Sequence, residues 1–263
     1  AGCSMADMAQ IDDVMDCWDD LSDQIGTDSV TPITYMNSTA AIKALCGRND
    51  GIVCTSSNAA ATYKWALEKD KKILFLPDQH LGRNTGLKMG IELSEMIVWN
   101  PFKPLGGHTP KEIDDAKVIL WQGHCSVHTR FTVEQIRQAR ELHPDVNVIV
   151  HPECTMEVVD SADSNGSTEF IKKTIEDASP GTKWAVGTEI SMVNRIAREN
   201  SDKTVFCLDS VVCPCSTMYR IHPAYLSWVL DGLVQGVVVN EIDVDEETSG
   251  YAKIALDRML SIV

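Results

Sequence analysis

Short apolar runs rich in β-branched residues alternate with longer segments of helical periodicity along the chain. The apolar runs are Thr31 to Tyr35, Ile52 to Thr55, Ile73 to Leu76, Val118 to Trp121, Val146 to Val150, Trp184 to Gly187 and Val205 to Leu208. The helical segments include Ala59 to Lys69, Val133 to Leu142, Thr168 to Ala178 and Ile190 to Arg198. Ser167 is the predicted N-cap of the third helix. Strands that alternate with helices predict parallel sheets covered by helices, so the expected fold class is α/β.

The second half of the chain repeats the first half in a weak but ordered way. Residues 31–37 (TPITYMN) match residues 147–153 (NVIVHPE), and the turn 55–58 (TSSN) matches residues 165–168 (NGST). Further along, residues 72–79 match 183–190, and residues 118–128 match 205–218. Cys125 and Cys215 each follow the last strand of their half. Because ligands gather at the carboxyl ends of parallel strands, the polar groups there are expected to share one crevice.

The repeat predicts the organisation of domains. Cys3 precedes the first repeat much as Cys125 precedes the second, so residues 1–30 are expected to be the tail of a missing first domain and a linker. Residues 31–130 and 131–222 are expected to form αβα three-layer units with parallel sheets, and residues 223–263 a C-terminal helical segment. Pseudo-symmetry then predicts three domains around a central site, two of them in this chain. Residues 92–117, rich in Pro and Gly, are interpreted as a surface excursion.

An excess of acidic residues argues against some classes of binding partner. The chain has 38 Asp and Glu against 23 Lys and Arg, a net charge of −15. This charge argues against nucleic acid or an anionic membrane surface as a partner. No stretch approaches the ~18 apolar residues of a membrane span, and the first residues lack a secretory signal pattern. We therefore expect a cytoplasmic protein.

The nine cysteines are expected to stay reduced, which makes metal binding the hypothesis to test. One cysteine from each of three similar units, namely Cys3, Cys125 and Cys215, would bring three thiolates to one point. Thiolates favour iron-sulfur clusters, Zn or Cu(I), and a structural Zn site normally has four protein ligands. A 4Fe-4S cluster on three cysteines would leave one iron free to bind substrate. Cys213, two residues before Cys215, is the rival third ligand.

A run of motifs over essentially the whole chain resembles the quinolinate synthase family. In the family's order these are YMNSTA from Tyr35, TSSNA from Thr55, PDQHLG from Pro77, GHCSVH from Gly123, HPEC from His151, GST from Gly166, GTE from Gly187 and CPCSTM from Cys213. The resemblance implies three pseudo-symmetric αβα domains around a 4Fe-4S cluster with three cysteine ligands. It also implies a condensing and dehydrating transferase of NAD biosynthesis. That enzyme joins iminoaspartate (iminosuccinate) to dihydroxyacetone phosphate and releases quinolinate, phosphate and water.

The resemblance further implies roles for individual residues. Its cluster ligands fall on Cys3, Cys125 and Cys215, the last because it keeps the family's C-x-x-M spacing to Met218. Its substrate contacts fall on Tyr35, Asn37, Ser56, His151, Glu153 and Thr168. The expected acid-base groups are Tyr35, His128, His151 and Glu153, with His128 close to the cluster. Structural roles are expected for Cys17, Cys46, Cys54, Cys154 and Cys207. His124 is expected either to contact the metal ligands without binding the metal itself or to face solvent.

Two other functions stay open from the residues alone. A Zn-dependent hydrolase or lyase could use His124, His128, His151 and Glu153. A non-catalytic iron-sulfur sensor would need a basic nucleic-acid-binding segment or a partner helix, and the sequence offers neither. The expected lack of the family's first domain, which supplies a His and a Ser to the iminoaspartate site, leaves activity of the chain alone open. The sequence does not decide the oligomeric state, and a homodimer stays open.

Overall fold

The computed structural model describes residues 2–211 and 214–262. Its strands form two separate parallel sheets, one in each half of the chain. The first sheet contains β1 (Val30–Tyr35), β2 (Ile52–Cys54), β3 (Lys72–Leu76), β4 (Met96–Trp99) and β5 (Val118–Trp121). The second contains β6 (Val146–Val150), β7 (Ser164–Asn165), β8 (Lys183–Gly187) and β9 (Thr204–Cys207). The predicted α/β class is confirmed.

In the described part of the chain an α-helix lies between each pair of consecutive strands, one further helix precedes β1 and two follow β9. The helices are α1 (Ile11–Ile25), α2 (Ala40–Arg48), α3 (Ala59–Leu67), α4 (Gln79–Lys88), α5 (Pro110–Asp115), α6 (Val133–Leu142), α7 (Met156–Ser161), α8 (Thr168–Glu176), α9 (Ile190–Glu199), α10 (Pro223–Val234) and α11 (Glu246–Ser261). The predicted cap is confirmed, since the Ser167 side chain accepts a hydrogen bond from the backbone N–H of Phe170. Within the described part of the chain, no helix combines the length and the apolar character that crossing a bilayer requires.

The strand orders confirm the internal repeat. The first sheet is ordered β2-β1-β3-β5-β4 and the second β7-β6-β8-β9. Each strand of the second sheet therefore has a counterpart at the same position in the first, and β4 is the additional strand at one edge. In parallel sheets every strand ends at the same edge. The matched polar turns accordingly follow the carboxyl ends of matched strands.

The interpretation of residues 92–117 as a surface excursion was wrong in part. Strand β4 lies within this segment and pairs in parallel with β5, from Met96 beside Val118 to Trp99 beside Trp121. Trp99 is 2% exposed. A Cβ on Gly106, whose φ is +64°, would come 2.4 Å from the Trp99 ring, so the glycine turn packs on this strand instead of extending into solvent. Four apolar residues among Pro and Gly gave too short a signal to separate a strand from a loop.

Both terminal helices pack on the first sheet. Val14, Trp18 and Leu21 of α1 join the buried cluster on one face. Ala255 and Met259 of α11 join the cluster on the other face, which α11 reaches by packing on α2 and β2. The first sheet is therefore covered by segments from both ends of the chain, whereas the second is covered mainly by α6 to α9.

The close contact between α2 and α11 generates a testable expectation. A Cβ on Gly47 would come 1.9 Å from the Tyr251 backbone oxygen, whereas Gly250 on α11 has no atom within 4 Å of its Cβ position. We expect Gly47→Ala to lower the free energy of unfolding by roughly 1–3 kcal/mol, because overpacking forces the helices apart. The matched control Gly250→Ala should raise it by about 0.5–1 kcal/mol through helix propensity. Urea unfolding measures both values, and equal effects of the two changes would contradict the assigned packing.

Candidate active site

Three cysteines occupy the same kind of turn at three places in the chain. A 3₁₀ turn begins three residues after Cys3, Cys125 and Cys215, and an α-helix begins eight residues after each. Each cysteine carbonyl accepts a hydrogen bond from the backbone N–H four residues later, that of Asp7 at 3.1 Å, Thr129 at 3.1 Å and Tyr219 at 2.9 Å. Cys215 thus occupies the backbone position equivalent to Cys125. The rival Cys213 lies outside the described residues.

The same three cysteines line one cavity of about 310 Å³ between the carboxyl ends of the two sheets. Nine of the ten residues proposed from the sequence lie along its wall. They are Cys3, Tyr35, Asn37, Cys125, His128, His151, Glu153, Thr168 and Cys215. The tenth, Ser56, does not line the cavity, and its half-buried side chain lies next to Tyr35. The structure therefore brings the proposed residues together, while their chemical roles stay predictions.

Matched strand ends carry different polar groups to this cavity. Tyr35 ends β1 and His151 directly follows β6, so the repeat places them at equivalent positions. Two residues further on, Asn37 and Glu153 are equivalent in the same way. The turn after β1 is held by Lys43, whose Nζ donates to the backbone oxygens of Met36 at 2.9 Å and Ser38 at 2.6 Å. The polar turn of the first sheet is thereby fixed beside the cavity.

The most buried part of the cavity is a cluster of His128, His151 and Glu153. These residues are 7%, 2% and 3% exposed. His128 Nδ1 lies 2.7 Å from Glu153 Oε2, although no group among the described residues meets hydrogen-bond geometry at that nitrogen. The two imidazole rings stack with centroids 4.5 Å apart. His128 Nε2 lies 3.1 Å from the hydroxyl of Thr188.

Burial and mutual charge set the protonation states in this cluster. Burial lowers the pKa of His151 to about 3, so its imidazole is neutral at pH 7. Burial alone would raise the pKa of Glu153, but His128, His151 and Tyr35 outweigh it and lower that pKa to about 2. Burial raises the pKa of Tyr35 strongly, and the Glu153 charge raises it further. A neutral imidazole, a carboxylate and a protonated phenol therefore share the cavity.

A second buried carboxyl group, Asp78, lies behind the cavity wall. It caps α4 by accepting the backbone N–H of Leu81 at 2.7 Å, and its other oxygen accepts the backbone N–H of Cys125 at 3.1 Å. Burial raises the pKa of Asp78 well above its ordinary value, and the charge of Glu153 raises it further. The backbone N–H groups that bond to its oxygens partly offset this rise. Asp78 stands in the PDQHLG motif, but sequence reasoning gave it no role.

The cavity wall offers ligands for a metal. Ligand atoms of Cys125, His128 and Glu153 all lie within 4.8 Å of one another. Cys3 and Cys215 add two more thiols to the same cavity, and all cysteines of the described residues are free. Burial raises the pKa of Cys125, so a bound metal would have to displace its proton. A cavity with three half-buried thiols suits a metal group that prefers thiolate ligands.

Several residues of the cavity were not found from the sequence. They are Gly2, Val127, Thr188, Glu189, Thr217, Met218 and Ile221. Thr188 and Glu189 belong to the GTE motif that follows β8, so the position after a strand was the available signal. Among the described lining residues there is no Lys or Arg. An anionic ligand would therefore bind to neutral donors, to backbone N–H groups or to a metal.

The comparisons with known proteins all match one protein family. The family model described as "Quinolinate synthetase A protein" matches residues 1–261. Quinolinate synthase of Corynebacterium glutamicum is 58% identical over 263 residues, which is 100% of this chain and 67% of that protein. The enzyme of a Nocardioides species is 54% identical over 269 residues, covering 100% of this chain and 68% of the relative. That of Streptomyces coelicolor is 52% identical over 265 residues, covering 100% and 67%.

The neutral state of His151 leads to an expected pH dependence of stability. The unfolded chain protonates this imidazole near the ordinary pKa of 6.5, while the folded chain keeps it neutral down to about 3. The unfolded state therefore binds more protons in this range, and the free energy of unfolding must fall as the pH drops below 6.5. We expect His151→Gln to flatten this slope between pH 6.5 and 4.5 by up to about 1.4 kcal/mol per pH unit. Urea unfolding across this range measures it, and an unchanged slope would contradict the assignment.

Proposed function

The chain belongs to the quinolinate synthase family, and from that membership we propose that the protein makes quinolinate for NAD biosynthesis. The reaction would condense iminoaspartate with dihydroxyacetone phosphate and release phosphate and water. The observation that carries the proposal is one cavity that joins three equivalent cysteine turns to Tyr35, His151 and Glu153. Thiol ligands and acid-base groups in one cavity are what a condensation with dehydration steps requires.

A 4Fe-4S cluster is the proposed cofactor, with Cys3, Cys125 and Cys215 as its ligands. The donor set fits, because three thiols from three separate turns line the cavity and the described lining contains no fourth. When bound, such a cluster supplies an iron without a protein ligand, which acts as a Lewis acid toward a substrate hydroxyl. His128 and Glu153 lie beside Cys125 and would face substrate on this side of the cavity.

Proton transfer is assigned to three residues of the cavity. The neutral imidazole of His151 can accept a proton, and the ionised Glu153 beside His128 can stabilise positive charge that forms on either ring. The protonated phenol of Tyr35 can donate a proton and take one back, because Glu153 lies next to it. These exchanges serve the tautomerisation of the ketose and the loss of water, for which a positioned group contributes roughly 10²- to 10⁴-fold.

Binding of the anionic substrates is assigned to neutral donors. Iminoaspartate carries two carboxylates and dihydroxyacetone phosphate a phosphate, yet the described lining contains no Lys or Arg. Asn37 and Thr168 line the cavity, and Ser56 lies behind Tyr35. Thr168 is the first residue of α8, where backbone N–H groups lack partners within the helix and attract anions.

A metal-dependent hydrolase or lyase is the second candidate, favoured only by the close group of Cys125, His128 and Glu153. It predicts one Zn per chain without acid-labile sulfide. The quinolinate synthase proposal predicts iron and sulfide in equal amounts. Metal and sulfide analysis of anaerobically purified protein therefore distinguishes the two functions.

Replacing single cysteines tests the proposed ligands. We expect Cys125→Ala to abolish the brown absorbance of the cluster and the formation of quinolinate, because one of only three thiolates is lost. The matched control is Cys154→Ala. Like Cys125, Cys154 lies in a loop that follows a strand, in this case β6, but its side chain is fully buried and its thiol points to the Gly187 carbonyl. The control should retain iron and absorbance. Loss of iron in Cys154→Ala, or a cluster that survives in Cys125→Ala, would refute the assignment.

Tyr35→Phe separates proton transfer from substrate binding. The change keeps the ring at the end of β1 and removes the hydroxyl, so iron content should stay normal. Turnover should fall by roughly 10²-fold or more, the range for a lost acid-base group. Binding of a dicarboxylate product analogue should weaken only modestly, since a lost neutral hydrogen bond costs about 0.5–1.5 kcal/mol. Kinetics and calorimetry on a protein of the relatives' full length test this, and normal turnover at saturation with hundredfold weaker binding would make Tyr35 a binding residue instead.

A further inference from the structure

The loop that carries His151 and Glu153 belongs to the second unit but is held by a helix of the first. Asn84 on α4 donates both hydrogens of its side-chain amide to this loop. One bond goes to the Pro152 carbonyl at 2.8 Å and the other to the Cys154 carbonyl at 2.9 Å. Asn84 is 8% exposed, so these bonds lie away from water. The accepting carbonyls belong to the residue before Glu153 and to the residue after it.

The other backbone hydrogen bonds of the loop stay within its own unit. The backbone N–H of His151 bonds to the Gly187 carbonyl at 3.0 Å, and that of Cys154 returns to the His151 carbonyl at 3.0 Å. Across the described residues, Asn84 is the one donor that bonds to the carbonyls of Pro152 and Cys154. Its amide therefore fixes the Pro152–Glu153 and Cys154–Thr155 peptide planes with respect to the first unit.

The same helix also holds the loop of Cys125. Asp78, the N-cap of α4, accepts the backbone N–H of Cys125. Asp78 and Asn84 are separated by six residues, about 9 Å along a helix. A rigid helix thus connects the Cys125 loop at one end with the Glu153 loop further along. The ligand atoms of Cys125, His128 and Glu153, which lie within 4.8 Å of one another, are thus carried by two loops that bond to the same helix.

We propose that Asn84 is a positioning residue that sets the place of Glu153 relative to His128 and Cys125 across the boundary between the two units. The proposal rests on the proposed function, because it assigns the consequence of misplacement to the proton-transfer steps. A catalytic group displaced by about 1 Å loses on the order of 10²-fold in rate even when substrate still binds. Asn84 itself does not line the cavity.

The test compares Asn84→Ala and Asn84→Asp with a matched control. Asn84→Asp keeps the shape but directs carboxyl oxygens at carbonyl oxygens, so it removes the donors without leaving a hole. The control is Asn200→Ala, because Asn200 is 6% exposed and its amide bonds to the Ile196 carbonyl at 2.9 Å within its own helix end. All variants are made in a protein of the relatives' full length and assayed for quinolinate formation, iron content and hydrogen exchange.

We expect both Asn84 variants to lower kcat at least tenfold, with KM for either substrate changed less than threefold and with normal iron content. Peptides covering residues 151–155 should exchange faster in both variants, and Asn200→Ala should show neither effect. A merely structural role for Asn84 would give losses that the control matches. The proposal is overturned by full kcat in Asn84→Asp, by unchanged exchange in this loop, or by equal losses in Asn200→Ala.

Hydrogen exchange keeps the two proposals separate. If the unsubstituted protein forms no quinolinate, the proposed function fails, while faster exchange of residues 151–155 in the Asn84 variants would still support the positioning role. If quinolinate is formed and the exchange of this loop does not change, the positioning role fails alone. If Asn84→Ala does not fold, Asn84→Asp alone tests the proposal, because the aspartate side chain has nearly the volume of the asparagine side chain.

Discussion

The common direction of the strands is the constraint on which the site depends. Every strand pairing in the two sheets is parallel, so all strands of a sheet end at one edge. The two carboxyl edges border one cavity, and residues distant in sequence reach it because each follows a strand end. A parallel sheet needs helices on both faces, which α1 and α11 supply for the first sheet. The packing of the terminal helices is therefore part of what positions the site.

A buried carboxylate in an acidic protein needs compensation close at hand. Glu153 obtains it from the Tyr35 phenol, which donates a hydrogen bond to it, and from the His128 ring, whose Nδ1 lies 2.7 Å from Oε2. Asp78 lies near the same charge, and burial together with that charge raises its pKa. The cost of moving Glu153 away from its partners would be high, which explains why its loop is fixed by hydrogen bonds from two units. Position and protonation are thus coupled through one residue.

The sequence allowed the repeat, most strands and nine of the sixteen residues that line the cavity to be predicted, because these follow from short patterns. Helix α6 was predicted with its observed bounds, Val133–Leu142, from its helical periodicity. Strand β4 was missed because it has no counterpart in the second half and lies beside a segment rich in Pro and Gly, and β7 because two residues show no periodicity. Asp78 and Asn84 were missed for another reason. Their bonds join residues 47 to 70 positions apart, and no local pattern shows which distant carbonyl or N–H a buried polar side chain will meet.

The repeat also explains how the same backbone arrangement carries different chemical groups. The three cysteine turns keep both their backbone and their side chain, as expected where one group must be bound from three directions. At other matched positions only the backbone is kept: Tyr35 matches His151, and Asn37 matches Glu153. A cavity with identical groups at matched positions could not hold a phenol, a neutral imidazole and a carboxylate with pKa values moved apart. Retaining the thiols while diversifying the strand ends therefore gives three equivalent thiols beside an asymmetric set of polar groups, and the proposed reaction of two different substrates would use both.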